Sequence, residues 1–201
     1  MKTLLIGIVV IALGFFGLVW FKGAPGDASV GVIGDYAAFT KGPSAAKVKI
    51  TEYADFQCPA CAAMASTVAD LLIKYPNDIE VTFKHFPLTQ IHPRALLAAK
   101  ASEAAGKQGK FFEMHDKLFV EQATWASNSK AEDIFVGYAT ELGLDVDQFK
   151  TDLKDATIAA KIKSNQVEGA KDQVQGTPTF FVNGLKVENS LLVTTVETVL
   201  E

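Results

Sequence analysis

Residues 48–86 admit few folds. Val48, Ile50 and Glu52 fall on one face of an extended run and Lys49, Thr51 and Tyr53 on the other, the period-two pattern of a strand. Residues 62–75 follow with helical character, and residues 79–86 read as a second strand. Strand, helix and strand in so short a space make a βαβ unit, so the two strands are expected to be parallel and the crossover right-handed. The only cysteines of the chain, Cys58 and Cys61, stand at the turn from the first strand into the helix, separated by Pro59 and Ala60.

A dithiol at such a turn has a chemical consequence. Thiol–disulfide exchange runs through the thiolate, and a free cysteine with a pKa of about 8.5 is mostly thiol at neutral pH. If Cys58 caps the helix, the unpaired N–H groups of the first turn point at its sulfur and lower that pKa. Pro59 suits the first helical position, where no N–H is needed. Cys58 is therefore expected to be the exposed, attacking thiol. Cys61, one helical turn on, is expected to close the disulfide. Other uses of the pair fit less well. A zinc site needs four ligands, no second Cys-x-x-Cys exists, and His85, His92 and His115 lack ligand spacing. The histidines are read as structural, and no metal or cofactor is expected. Covalent haem attachment needs a histidine where Ala62 stands. A purely structural bridge would close a loop too small to stabilise much.

Two further positions bear on the pair. Strand parity points Glu52 toward the core, beneath the cysteine-bearing turn. A buried carboxyl resists ionisation, so such a group could take a proton from Cys61 or return one; the plainer reading is a solvated glutamate at a sheet edge. Pro178, in Gly176-Thr177-Pro178-Thr179, enters a strand, which suits a turn or an edge and on its own need mean no more than strand initiation.

Residues 45–201 form the expected domain, long enough for one sizeable core. After the βαβ unit comes a helical block at about 90–175. Ile134, Phe135, Tyr138 and Leu142 make a helical stripe, ended by Gly143 as a left-handed residue. Asp145 is placed as an N-cap with Gln148 three residues on. Residues 156–174 read as one more helix, stopped by Gly176. The chain then returns to strand at 179–182, turns at Asn183-Gly184, pairs back through 185–187 and closes with a short helix carrying Leu192, Val196, Val199 and Leu200.

The first 44 residues have a different composition. Residues 4–21 carry no charge and are long enough to cross a bilayer core of about 30 Å. The run is longer than the apolar core of a cleaved signal peptide, and no convincing cleavage site follows it. Residues 1–22 are therefore read as an uncleaved signal anchor, a single transmembrane helix. Residues 23–44, rich in Gly, Ala, Ser and Pro, are read as a flexible tether. Lys2 before the segment and the acidic residues after it place the domain outside the cytoplasmic membrane; cleavage would make it periplasmic or secreted. The chain carries a net charge of −4, which becomes −6 without Lys2 and Lys22, so nothing favours nucleic acid as a partner. Outside the cytoplasm a disulfide can persist.

With these features in place the chain resembles the DsbA-like branch of thiol–disulfide oxidoreductases in the thioredoxin superfamily. The resemblance rests on Asp55-Phe56-Gln57-Cys58-Pro59-Ala60-Cys61, on Phe86-Pro87-Leu88, on the stretch from Ala104 to Asp116, and on Gly176-Thr177-Pro178-Thr179-Phe180-Phe181-Val182-Asn183-Gly184. It implies an α/β thioredoxin fold with an inserted helical subdomain. It also implies that Cys58 is the nucleophile, Cys61 the buried resolving thiol and Glu52 the buried acid of the superfamily. Pro178 is implied to be a cis-proline facing the disulfide, with the Thr177 backbone pairing to an extended substrate segment. The implied activity is disulfide formation in exported proteins that carry paired thiols, with re-oxidation by a quinone-linked membrane partner. A reductase or isomerase is the alternative within the enzyme class, and a non-catalytic peptide-binding adaptor or chaperone the alternative outside it. One departure matters: well-known oxidases of this branch have Pro-His between the cysteines, whereas here Ala60 follows Pro59. Without that imidazole the thiolate loses one stabilising charge and the couple should be less oxidising, while the helix donors remain.

Overall fold

The computed structural model describes residues 38–201. The proposed anchor at 1–22 and most of the proposed tether at 23–44 lie outside the described residues. Among those described, no helix is long and apolar enough to cross a membrane.

The frame is a five-stranded mixed sheet in the order β1-β3-β2-β4-β5. Its centre is the βαβ unit: β2 (Val48–Ala54), α1 (Pro59–Lys74) and β3 (Ile79–His85). β2 and β3 run parallel, with Val48 opposite Ile79 and Glu52 opposite Phe83. In β3 every second residue is buried (Ile79, Val81, Phe83 and His85), the alternation expected when one face meets the core more closely. β4 (Thr179–Val182) adds antiparallel to β2, and β5 (Leu185–Val187) pairs antiparallel with β4. The β4–β5 turn is the two-residue loop expected of Asn183-Gly184, both at positive φ (48° and 82°) as a twist-matched hairpin requires. The Asn183 side chain also accepts the Lys49 N–H at 2.8 Å, pinning the hairpin to the start of β2.

Between β3 and β4 the chain inserts six helices: α2 (Ala95–Lys107), α3 (Phe111–Val120), α4 (Gln122–Trp125), α5 (Ala131–Glu141), α6 (Val146–Asp152) and α7 (Ala156–Lys171). Their boundaries follow local chemistry. Gly143 takes φ 70° after α5, and the Asp145 carboxylate accepts the Asp147 and Gln148 N–H groups to start α6. Asp155 caps α7 in the same way. The end of α7 differs from the sequence expectation: Gln173, at φ 58°, supplies the left-handed residue, so the helix stops before Val174 and Gly176 is not its terminator. A 3-10 turn (Asn189–Leu191) leads into α8 (Leu192–Leu200).

The interior has two clusters. One joins Val68 and Leu71 of α1 with Ile50, Ile79, Phe180, Leu192 and Val196, closing α1 and α8 over the sheet. The other packs Phe56, Phe83, Phe111, Met114, Phe119 and Trp125 under the helical insertion and includes both cysteines. Each fully buried aromatic or aliphatic side chain there contributes roughly 1.5–3 kcal/mol relative to exposure.

One expectation is corrected outright. The composition of residues 23–44 predicts a tether up to residue 44, but β1 (Phe39–Lys41) is a strand of the sheet, antiparallel to β3 with Phe39 opposite Phe83. Phe39 stacks on Phe111 at 3.9 Å between ring centroids, and the Lys161 ammonium lies 4.0 Å from the Phe39 ring centre. A three-residue edge strand has too few residues to display alternation, and its partner lies some forty positions away, so composition alone hid it.

Candidate active site

The site is assembled where β2 ends. Cys58 takes an extended conformation (φ −76°, ψ 121°) as the N-cap of α1, and Pro59 occupies the first helical turn. The Cys58 N–H donates to the Asp55 carbonyl at 3.0 Å, and the Cys58 carbonyl accepts the Ala62 N–H at 3.2 Å, starting the helix. Both thiols are free. Cys58 is 8% exposed and Cys61 wholly buried. The outer thiol is thus more covered than the sequence led one to expect, because the Thr177–Pro178 loop folds over it. The Thr177–Pro178 peptide is cis, and the Cys58 thiol sits 3.4 Å from the Thr177 carbonyl, positioned to donate to it.

The two sulfurs have opposed proton affinities. Hydrogen bonding from the Cys61 thiol, assisted by the backbone N–H groups of Cys61 and Ala60, outweighs burial and brings Cys58 down to about 5. The same contact with Cys58, followed by burial, pushes Cys61 far above the ordinary thiol range. At neutral pH the reduced pair is therefore a Cys58 thiolate hydrogen-bonded by a Cys61 thiol. The Cys61 thiol and the backbone N–H groups at the start of α1 achieve this with Ala60, not an imidazole, between the cysteines.

Glu52 lies on β2 and is 2% exposed. Burial raises its carboxyl to about 8, and Oε1 has no hydrogen-bond partner. Its side chain lines a small cavity shared with Ala65, Val68, Phe83 and His115. Lys84 does not pair with it: its ammonium binds both oxygens of Glu168, at 2.6 and 2.7 Å, on the other face of the sheet.

Cys58, Cys61, Thr177 and Pro178 are thus drawn together where β2 ends, while Glu52 is buried two residues before the end of the same strand. Sequence reasoning missed a set of polar side chains that grips the turn. Asp55, 1% exposed, accepts the Gln57 and Leu88 N–H groups and the His92 imidazole. Gln57 donates to the Ala126 carbonyl at 2.7 Å and accepts the Arg94 N–H at 2.6 Å. Gln122 donates to the carbonyls of Phe56 (2.7 Å) and Cys58 (3.0 Å). The one signal available was that Asp55 and Gln57 stand inside the cysteine motif; nothing local marked His92 or Gln122. The other histidines have other partners. His85 meets Glu103 at 3.0 Å, with Lys161 on the second carboxylate oxygen at 2.9 Å. His115 pairs with Asp116. Among the described residues no group of three His, Cys, Asp or Glu side chains is placed to hold a metal.

A sheet of this topology, interrupted by a helical insertion and carrying a dithiol at a helix N-terminus opposite a cis-proline, defines a thioredoxin-type protein. The thioredoxin family model matches residues 37–201, and the chain belongs to that family. A thioredoxin-like oxidoreductase from Silicibacter pomeroyi is 27% identical, with a TM-score of 0.68 over 83% of this chain and 94% of that one. BdbD from Bacillus subtilis, in its oxidised form, has a TM-score of 0.70 at 24% identity, covering 81% of this chain and 92% of that one, a likeness of fold. A curated relative from Salinispora arenicola, named Na(+)/H(+) antiporter NhaA 1, is 44% identical over 151 residues, which is 75% of this chain and 22% of that protein. The chain therefore spans about a fifth of the length of the curated relatives it matches.

Proposed function

We propose that this chain is a DsbA-like protein thiol–disulfide oxidoreductase that works as an oxidase outside the cytoplasmic membrane. The observation that carries the reading is the opposed proton affinity of the two sulfurs at the cap of α1, with Cys58 held near 5 and Cys61 pushed up. A low-affinity outer sulfur is a good leaving group and a thiolate at neutral pH; a high-affinity inner one resolves and then holds its proton. In the forward direction a substrate thiolate attacks Cys58 of the oxidised pair. A new S–S bond forms, the Cys58–Cys61 bond breaks, and Cys61 leaves and takes a proton, for which Glu52 is the nearby acid. A second substrate thiolate then attacks the substrate sulfur of the mixed disulfide and Cys58 departs as thiolate. Two electrons pass from substrate to the pair, and a quinone-linked membrane partner removes them. The Thr177 backbone and Pro178 border Cys58, where an extended substrate segment would lie.

The uncharged run at 4–21 supports a membrane anchor with the domain on the outer side. Replacing Cys61 with alanine tests the enzyme: mixed disulfides between Cys58 and exported proteins should accumulate. Full biological activity in a Cys58→Ser variant would sink the reading. Equilibration against a glutathione buffer tests the direction, because a couple as reducing as a cytosolic thioredoxin is a reductase.

A further inference from the structure

The turn that carries the sulfurs is held from outside the βαβ unit, and one carboxylate lies at the centre of the grip. Asp55 Oδ1 accepts the Gln57 N–H at 2.7 Å. Its Oδ2 accepts the Leu88 N–H at 2.9 Å and faces His92 Nδ1 at 2.7 Å. The backbone N–H groups engage Asp55 as an acceptor, so the imidazole Nδ1–H is the third donor. The Asp55 carbonyl takes the Cys58 N–H at 3.0 Å. One side chain thereby ties the residue before Cys58, the loop that leaves β3 and the histidine, while its backbone holds Cys58 itself. The carboxylate is wholly buried, whereas the His92 side chain is 17% exposed and closes the cluster at the surface.

We propose that His92 is a positioning residue for the dithiol, acting through Asp55: the imidazole fixes the carboxylate, the carboxylate fixes the Gln57 and Leu88 backbones, and these hold Cys58 at the cap of α1 with its sulfur in line with the N–H groups of the first turn. The inference rests on the reading of Cys58 as the attacking thiol. A buried carboxylate that loses one of three donors is left under-satisfied, and it regains a partner only by shifting. A shift of Asp55 moves the Gln57 and Cys58 backbones with it. The blander role, a tether for the loop at 86–92, makes a different claim. A tether affects how much free energy holds the loop down, while a positioning residue sets how well the N–H groups meet the sulfur, and so the proton affinity of Cys58.

The test is the titration of Cys58 in the full, reduced chain, followed by thiolate ultraviolet absorbance and by the pH dependence of alkylation with iodoacetamide. The wild type should titrate near pH 5. His92→Leu, which gives no donor and excludes water, should raise that midpoint by about one unit. His92→Asn, which keeps an N–H toward Asp55, should return it close to the wild-type value. In an Asp55→Asn background His92→Leu should add no further shift, because the two residues act as one unit. A folded His92→Leu protein whose Cys58 midpoint is unmoved overturns the proposal, as does an equal shift in the Asp55→Asn background. Should the leucine variant not fold, His92→Ala is read by the same criteria. A wild-type Cys58 that titrates near an ordinary ~8.5 instead overturns the oxidoreductase reading itself, so the two failures are distinguishable.

Discussion

At the scale of single residues, the site works by placing similar groups in unlike surroundings. Cys58 and Cys61 are chemically identical, yet one is stabilised as a thiolate by the other's thiol and by backbone donors at a helix end, while the other is held as that thiol by the same contact and by complete burial. Glu52 is the same device applied to a carboxyl. Its folded value of about 8 lies above the ordinary carboxyl value of 4.5, so its neutral form suits the fold. The stability tied to that neutral form is complete below pH 4.5 and is lost as pH rises through about 8. Wild type should therefore lose about 2–4 kcal/mol between pH 5 and pH 8 that a Glu52→Gln variant keeps, as read by urea denaturation of both proteins across that range. Parallel curves would show that Glu52 is not ionising in a buried site. The same variant should slow the step that releases Cys61 by about tenfold or more, since a positioned proton donor is removed.

At the scale of elements, the helical insertion is tied to the sheet by a strand that looks like a linker. A Cβ on Gly106 of α2 would lie 2.3 Å from the Phe39 ring of β1, so the absence of a side chain at 106 is what lets β1 lie down. Phe39 cannot retreat, being stacked on Phe111 and capped by Lys161. Gly106→Ala should cost about 1–3 kcal/mol by overpacking, and Phe39→Ala in the same protein should relieve part of that cost. Thermal unfolding of the two single variants and the double variant measures it; strict additivity would mean that β1 does not occupy this slot. The elements that could be read from sequence were those whose logic is local: the alternation of β2, the Asp145 cap, the Asn183-Gly184 turn. Those that could not were set by distant partners. Gln122 lies 64 positions from Cys58, and Asn165, whose side chain accepts the His85 N–H, lies 80 positions away. The site divides the same way: its sulfurs and Pro178 were legible as motifs, whereas the clasp around them exists only after the insertion has folded back.

At the scale of the whole molecule, redox state and fold stability are one equilibrium. The reduced protein holds a thiolate whose affinity for protons is depressed from the ordinary thiol value of 9.0 to about 5. That contribution is complete above pH 9 and is lost as pH falls through about 5, while the oxidised protein has no Cys58 thiol to titrate. The melting temperature of the reduced form relative to the oxidised form should therefore drop steadily from pH 8 to pH 5 and level off below. Scanning calorimetry of both forms measures this, and a constant difference would mean that Cys58 is an ordinary thiol. The clasp has a further consequence for transplantation. Its anchors, the Leu88, His92 and Arg94 loop and the Gln122–Ala126 segment, belong to the stretch that interrupts the βαβ–ββ frame. A bare frame given the Cys58-Pro59-Ala60-Cys61 box would inherit its letters without its tuning, so in this lineage the portable unit of chemistry is the box together with the insertion that grips it.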